Sequence, residues 1–283
     1  MKKAILITVL ALGSDISVAQ NQDFRVLNDQ LIVKQGQVLI VDVNKYILAS
    51  DIGVYAFGST YTPNKNGRTF IGVDSEKVKP GLYVVYLVNM KDGSWVGSQS
   101  SQVEVLSGSL PVVRINKKSA SSQVDSKRRA KESQLISGAY ARGSKSEDFT
   151  DGDFIYPLKD LFITGPFGFR AYSNATFLHR GVDLRATAGT SVLAVNSGKV
   201  VLAKTNFSLE GNMVILDHGS GVFSIYMHLS RILVKEGQTV NKGQIIALSG
   251  NTGSSTGPHL HLAFKVSGTI VDPFGSIEVI NKY

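Results

Sequence analysis

Apolar residues alternate with polar ones, or form short unbroken runs, through most of residues 20–106. Two stretches show this, 37–43 and 82–87, and the second follows the turn signal Pro80-Gly81. Short apolar strands between turn signals are typical of a small β-sandwich. Residues 20–106 contain no histidine and no evident pair of acids. We therefore interpret them as a β-rich, non-catalytic module.

Residues 151–283 show a similar pattern. Apolar runs at 199–204, 213–216 and 243–248 are separated by glycine-containing turns, which again predicts strands. The sequence thus predicts a mainly β protein in two parts, with residues 107–150 between them. A length of 283 residues is consistent with two such domains.

The N-terminus has the pattern of an export signal. Met1-Lys2-Lys3 precedes an apolar run over residues 4–13, and Ser17-Val18-Ala19 offers small residues for cleavage. The apolar run is too short to cross a bilayer, which needs about 20 residues. We expect residues 1–19 to be a signal peptide removed after Ala19, and the mature chain to reach the periplasm or cell envelope.

The basic charge of the chain is concentrated in one segment. Lysine and arginine number 30 against 22 acids, and residues 114–131 hold seven of these cations with only Asp125 opposing them. A nucleic-acid site would interleave such charges with aromatic residues or glycine, and this segment has neither, so we expect no nucleic-acid partner. We interpret residues 107–150 as a basic connector containing Ser and Gly, solvated and partly helical. Contact of residues 114–131 with an anionic envelope polymer or lipid headgroups is the alternative.

The candidate chemistry lies among the histidines, all five of which follow residue 178. His259 and His261 alternate with apolar residues on a predicted strand, so both imidazoles share a face. His179 and Asp183 form a second candidate pair, and His228 ends another predicted strand. Cysteine is absent, which excludes thiolate metal sites and Cys nucleophiles. Imidazole and carboxylate groups suit a cation such as Zn²⁺.

These stretches carry a family resemblance. His179-x-x-x-Asp183, the run 226–230 (Tyr-Met-His-Leu-Ser) and the run 257–261 (Gly-Pro-His-Leu-His) resemble the three signatures of the LytM/lysostaphin-type zinc peptidases, family M23. Flanking stretches across residues 160–276 resemble it too, among them Phe167-Gly168-Phe169-Arg170 and Val271-Asp272-Pro273.

The resemblance implies a fold, a site and a substrate. The fold is an antiparallel, barrel-like β domain (a duplicated hybrid motif) over residues 151–283. Zn²⁺ would be held by His179, Asp183 and His261, while His228 and His259 would be catalytic and not ligands. We favour His259 as the general base and His228 as the oxyanion stabiliser, and the reverse stays open. The implied substrate is the peptide cross-link of bacterial peptidoglycan, and we favour the bond between D-Ala and the diamino acid.

Two other interpretations of the same residues compete with this one. A zinc-free LytM-like regulator that activates a separate cell-wall amidase is the main alternative, but such proteins lose ligands that this chain keeps. The run 234–244 resembles the hairpin of a biotinyl or lipoyl carrier, which would have no use for the histidines. For His218 we expect a structural hydrogen-bonding role. Asn212 fits a substrate groove or a turn, and Arg180 fits a stem-peptide carboxylate or solvent.

Overall fold

A computed structural model describes residues 24–43, 51–115, 125–143 and 147–283. The predicted signal peptide, residues 1–19, lies outside these residues. Within them, no helix is long and apolar enough to span a membrane. Most of the described elements are strands, which confirms the predicted mainly β fold.

Two sheets enclose the core of the N-terminal half. One has three strands in the order β1-β3-β6, and the other has five in the order β2-β8-β7-β4-β5. A 3-10 turn at Asp29–Leu31 separates the first two strands. The strands are β1 (Phe24–Val26), β2 (Ile32–Lys34), β3 (Val38–Val43), β4 (Ile52–Ala56), β5 (Ser59–Tyr61), β6 (Arg68–Gly72), β7 (Gly81–Asn89) and β8 (Trp95–Leu106).

Strand β3 is buried on both of its faces. Leu39 and Val41 point into the core of the N-terminal half. Val38 and Ile40 point the other way and belong to the core of the C-terminal half. Because successive side chains of a strand alternate between faces, an unbroken apolar run is what a strand between two cores requires. The N-terminal sheet β1-β3-β6 is therefore a wall shared by both halves.

The segment 107–150 contains β9 (Val112–Ile115) and the helix α1 (Ser126–Ala141). Asp125 caps the helix, since its carboxylate accepts a hydrogen bond of 2.9 Å from the backbone N–H of Lys127. Glu132 and Ala139 of the helix are buried, and Ala139 packs in a core cluster with residues of the C-terminal half. The segment is partly helical and most positions of α1 are exposed, as expected for a solvated connector, but one side of the helix packs on the sheet.

The C-terminal half is built on an eight-stranded sheet, in the order β10-β13-β21-β17-β16-β15-β19, with β22 paired to β21. Its strand pairs are antiparallel, as predicted. Smaller sheets, β9-β11-β12 and β14-β20-β18, complete it. The elements are β10 (Ile163–Gly165), β11 (Gly168–Tyr172), β12 (Thr176–His179), β13 (Val182–Arg185), β14 (Ser191–Leu193), β15 (Gly198–Phe207), β16 (Gly211–Asp217), β17 (Val222–Leu229), β18 (Arg231–Ile232), β19 (Thr239–Val240), β20 (Ile245–Leu248), β21 (His259–Val266), β22 (Thr269–Val271) and the helix α2 (Pro273–Lys282).

The sheet register gathers the histidine motifs. Strand β21 pairs with β13, which sets Asp183 opposite His261. On its other side β21 pairs with β17, which sets Met227 opposite His261 and so brings His228 to the same end. Three motifs far apart in the chain therefore meet at one end of three neighbouring strands.

Candidate metal centre

Three candidate ligand atoms converge at this end of the sheet. His179 Nε2 lies 3.2 Å from Asp183 Oδ1 and 3.2 Å from His261 Nδ1. His261 Nδ1 lies 2.8 Å from the same Asp183 oxygen. Among the described residues, this is the cluster of His, Cys, Asp and Glu groups that could hold a metal ion. The structure thus brings together the three residues expected to be ligands.

Local contacts decide which nitrogen each ligand presents. His179 Nδ1 donates to the carbonyl of Pro166 at 2.8 Å, which leaves the lone pair of Nε2 facing the cluster. Gly181 is needed beside it, because a Cβ there would lie 2.4 Å from His261 Nε2 and 2.5 Å from the carbonyl oxygen of Leu262. The glycine lets strands β13 and β21 approach closely enough for Asp183 to reach His261.

The donor set fits a divalent metal ion. Two imidazole nitrogens and one carboxylate oxygen, each about 3 Å from the others, match the ligands and spacing of a tetrahedral zinc site, where metal–ligand distances are about 2.0–2.2 Å. Three protein ligands are also the number that catalytic zinc sites use, because the remaining position serves water or substrate.

His228 and His259 lie beside the three ligands. Their ring centroids are 4.8 Å apart, and the ring of His228 is 6.0 Å from that of His261. His228 Nδ1 donates to the carbonyl of Thr252 at 2.8 Å, and His259 Nδ1 donates to that of Gly257 at 2.8 Å. Both rings therefore keep Nε2 for chemistry, and His259 Nε2 is 3.5 Å from Asp183 Oδ1.

The backbone at His228 adopts a positive φ of 60°, which non-glycine residues rarely accept. Contacts with the β15–β16 turn hold it. The N–H of His228 donates to the carbonyl of Glu210 at 2.9 Å, and the carboxylate of Glu210 receives two bonds of 2.7 Å from Arg129 of α1. Helix α1 is thus linked to a candidate catalytic residue through one turn.

The groups of the site differ in the direction in which their surroundings shift the pKa. Burial raises the pKa of Asp183, but the hydrogen bonds with His179, His259 and His261 outweigh it, so the pKa lies below its ordinary value. Burial lowers the pKa of His228 to about 4. Burial alone would lower the pKa of His259, and the bonds with Asp183 and the Gly257 carbonyl raise it above its ordinary value.

Sequence reasoning assigned no role to Arg170, which the structure places at the site. Its guanidinium donates to Asp183 Oδ2 and lies 3.1 Å from His179 Nε2. The sequence feature that could have indicated this role is the position of Arg170 at the end of Phe167-Gly168-Phe169-Arg170, just before the first histidine motif. Arg180 is exposed to solvent, which was one of its two expected environments, and it also pairs with Glu76 of the N-terminal half at 2.7 Å.

His218 and Asn212 lie in structural roles. His218 is fully buried, with Nδ1 donating to the carbonyl of Ser197 at 2.8 Å and Nε2 2.7 Å from Ser224 Oγ. Burial lowers its pKa to about 4, so the ring is neutral at pH 7. The amide of Asn212 donates to the carbonyl of Leu229 at 2.9 Å, which fits the turn role and ties β16 to the end of β17.

A β-sheet site with a potential metal triad and two further imidazoles is an arrangement typical of metal-dependent hydrolases. A family model described as Peptidase family M23 matches residues 177–273. An uncharacterized metalloprotease of Haemophilus influenzae is 50% identical over 144 residues, which cover 50% of this chain and 30% of that protein. The peptidoglycan DD-endopeptidase ShyA of Vibrio cholerae is 47% identical over 94 residues, or 33% of this chain and 22% of ShyA.

One solved structure is similar to this protein over a larger part of the chain. A crystal structure of a Pseudomonas aeruginosa protein assigned to peptidase M23 superposes with a TM-score of 0.63 at 26% identity, covering 87% of this chain and 96% of that one. Residues 177–273 match peptidase family M23, which confirms the resemblance seen in the motifs. The chain spans less than a third of the length of the two relatives named above.

Proposed function

We propose that this protein is a zinc-dependent endopeptidase that hydrolyses the peptide cross-links of bacterial peptidoglycan outside the cytoplasm. The observation that carries the proposal is the complete set of three potential ligands with two further imidazoles beside it. The peptidoglycan DD-endopeptidase named among its relatives supports the substrate class. Within that class we favour the bond between D-Ala and the diamino acid.

His179, Asp183 and His261 would hold the zinc ion. When bound, zinc lowers the pKa of its water to about 7 and polarises a peptide carbonyl. Arg170 holds the second oxygen of Asp183, which leaves Oδ1 to face the two histidines. The Pro166 carbonyl fixes the ring of His179 in the same way, so the ligands keep their orientation without rearrangement.

His228 and His259 would move the protons. Because each Nδ1 is committed to a backbone carbonyl, Nε2 is the atom of each ring that would exchange a proton with the reacting groups. One ring accepts the proton of the attacking water at Nε2. The other donates a hydrogen bond from Nε2 to the carbonyl oxygen as negative charge develops there. As at the sequence level, we favour His259 as the base, with the reverse assignment open.

The alternative of a zinc-free amidase regulator requires a site that lacks ligands. All three potential ligands and both further histidines lie together in this chain, so the geometry favours the enzyme. Export depends on residues 1–19, whose sequence supports a cleaved signal.

The test is digestion of purified peptidoglycan by the mature chain, with mass analysis of the products. We expect cross-linked muropeptide dimers to become monomers that keep their stem peptides on the sugar. Dialysis against a chelator should abolish the reaction, and added Zn²⁺ should restore it. Release of whole stem peptides from the glycan would instead show an amidase. Absence of cleavage by the zinc-loaded chain would overturn the proposal.

A further inference from the structure

A cavity of about 610 Å³ lies away from the metal centre. It opens where three parts of the chain meet: the N-terminal half, the end of α1, and the β21–β22 hairpin with the start of β17. This volume is within the range of about 300–1,000 Å³ typical of small-ligand sites, which often lie at domain interfaces. Aromatic and cationic side chains line it, namely Phe57, Tyr61, Tyr140, Phe223, Lys77 and Lys265.

Lys265 is one of the two lysines that line this cavity. Its ammonium lies 4.7 Å from the centroid of the Tyr140 ring, a cation–π contact. No carboxylate of the described residues lies within salt-bridge distance of it. Burial and the positive charge of Lys77 both lower the pKa of Lys265. A half-buried lysine held by a ring and repelled by a second lysine is a group that an anion would stabilise.

The charged residues that line the cavity favour an anionic ligand. Its charged lining residues are Asp74, Lys77 and Lys265, and Asp74 approaches Lys77 only at 3.9 Å. The lining therefore carries one positive charge in excess, which a single carboxylate would neutralise. The rest of the wall combines aromatic rings with hydroxyl groups such as those of Thr62, Ser267 and Thr269. Such a wall suits a ligand with apolar groups and amide bonds, rather than a bare inorganic anion.

The cavity is separate from the catalytic groups. Lys265 follows His261 by four residues on β21, or about 13 Å at the usual rise of a strand. Neither His228, His259 nor any of the three potential metal ligands lines it. A ligand there would touch both halves of the protein at once, because Phe57 and Tyr61 belong to the N-terminal half and Lys265 to the C-terminal half.

We propose that this cavity binds a short peptide through its free C-terminal carboxylate, with the carboxylate between Lys265 and Lys77 and the peptide body against the aromatic wall. The binding site itself stands on the cavity alone. The source of its ligand rests on the proposed function, since hydrolysis of a cross-link leaves a peptide with a new free carboxylate.

The experiment titrates the full mature chain with N-acetyl-D-alanyl-D-alanine and, separately, with its C-terminal amide. NMR follows the protein and also reports whether the peptide stays intact. We expect saturable binding of the acid, and at least ten-fold weaker binding of the amide, a difference of about 1.4 kcal/mol. Lys265→Met should weaken binding of the acid by at least ten-fold. Lys265→Arg, which keeps the charge, should retain most of it.

The control is Lys235→Met, which removes an exposed lysine that is not part of the cavity lining and should bind like the parent chain. Equal binding of acid and amide would overturn the proposal. So would binding that survives Lys265→Met but is lost in His261→Ala, because the peptide would then occupy the metal centre. Because the readout is binding, a failure of the proposed activity would leave this result interpretable.

Discussion

At the scale of single residues, hydrogen bonds to backbone carbonyls decide what each imidazole can do. His179, His228 and His259 each direct Nδ1 to a carbonyl, and each therefore presents Nε2. His261 differs, because its Nδ1 is the atom that meets Asp183 and His179. Both arrangements occur on one strand, since His259 and His261 both lie on β21. The division into ligands and proton carriers is thus a matter of position, not of residue type.

This division predicts the outcome of two alanine substitutions. His261→Ala should lose stoichiometric zinc and all activity, because it removes one of three potential ligands. His228→Ala should keep zinc and lose activity by about 10²–10⁴-fold, the usual contribution of a positioned proton carrier. Metal content by mass spectrometry and muropeptide release measure both quantities. Loss of zinc in the His228 variant with retention in the His261 variant would reverse the assignment.

Much of the site was predictable from the sequence because strand periodicity is local. Alternation alone places His259 and His261 on one face, and the motifs gather the other groups. The pairings of Arg170 with Asp183 and of Arg180 with Glu76 were not predictable. The second joins residues 104 positions apart, and nothing in the local pattern at either position specifies the partner.

At the scale of elements, α1 shows where the charges of the basic segment find partners. Arg128 and Arg129 look like free charges beside one another in the sequence. In the structure Arg128 meets Glu132 at 2.9 Å, and Arg129 meets Glu210, a residue 81 positions away. Ser208 also donates to Glu132. Charges that appear unbalanced along the chain are therefore paired across it, and the helix is bound to the turn that supports His228.

We predict that Arg129→Met lowers kcat about ten-fold, because small displacements of a catalytic group are costly, while zinc content and KM stay unchanged. The reason is that Glu210 would lose its bidentate partner, and its carbonyl holds the N–H of His228. Steady-state kinetics on a defined muropeptide dimer would measure kcat and KM separately, and metal analysis would measure the zinc content.

Matched variants make that test specific. Lys131→Met removes an exposed charge from the same helix and should leave kcat unchanged. Arg129→Lys keeps the charge but not the two-pronged geometry, so it should restore activity only in part. If Lys131→Met slowed the reaction as much as Arg129→Met, the effect would belong to net charge and not to the link with His228.

At the scale of the whole molecule, the shared wall around β3 joins the two halves. Ile40 packs with the C-terminal core and its neighbour Leu39 with the N-terminal core, and both are fully buried. The apolar pattern of residues 37–43 predicted a strand, but not that it faces a second core. That second face depends on how the halves dock, which the sequence of one strand does not encode. The two halves also make polar contacts. For example, the side-chain amide of Asn64 donates a hydrogen bond of 2.9 Å to the hydroxyl of Ser220.

The wall predicts that two adjacent substitutions weaken different halves of the protein. Ile40→Ala and Leu39→Ala should each cost about 2–5 kcal/mol of unfolding free energy, the usual range for such buried truncations. Hydrogen exchange followed by mass spectrometry should locate the loss of protection. We expect it around β21 and β22 for Ile40→Ala, and around β7 and β8 for Leu39→Ala. The same pattern for both variants would contradict the two-faced arrangement.

The position of β9 has a consequence for fragments of this protein. Val112–Ile115 pairs in parallel with β11, beside the first histidine motif, although in sequence it lies on the N-terminal side of α1. If the backbone were cut between residues 115 and 125, the N-terminal piece would still supply a strand to a sheet of the C-terminal piece, as well as one wall of its core. The two pieces would therefore stay associated without a covalent link, and separately produced pieces would reassemble by completing each other's sheets.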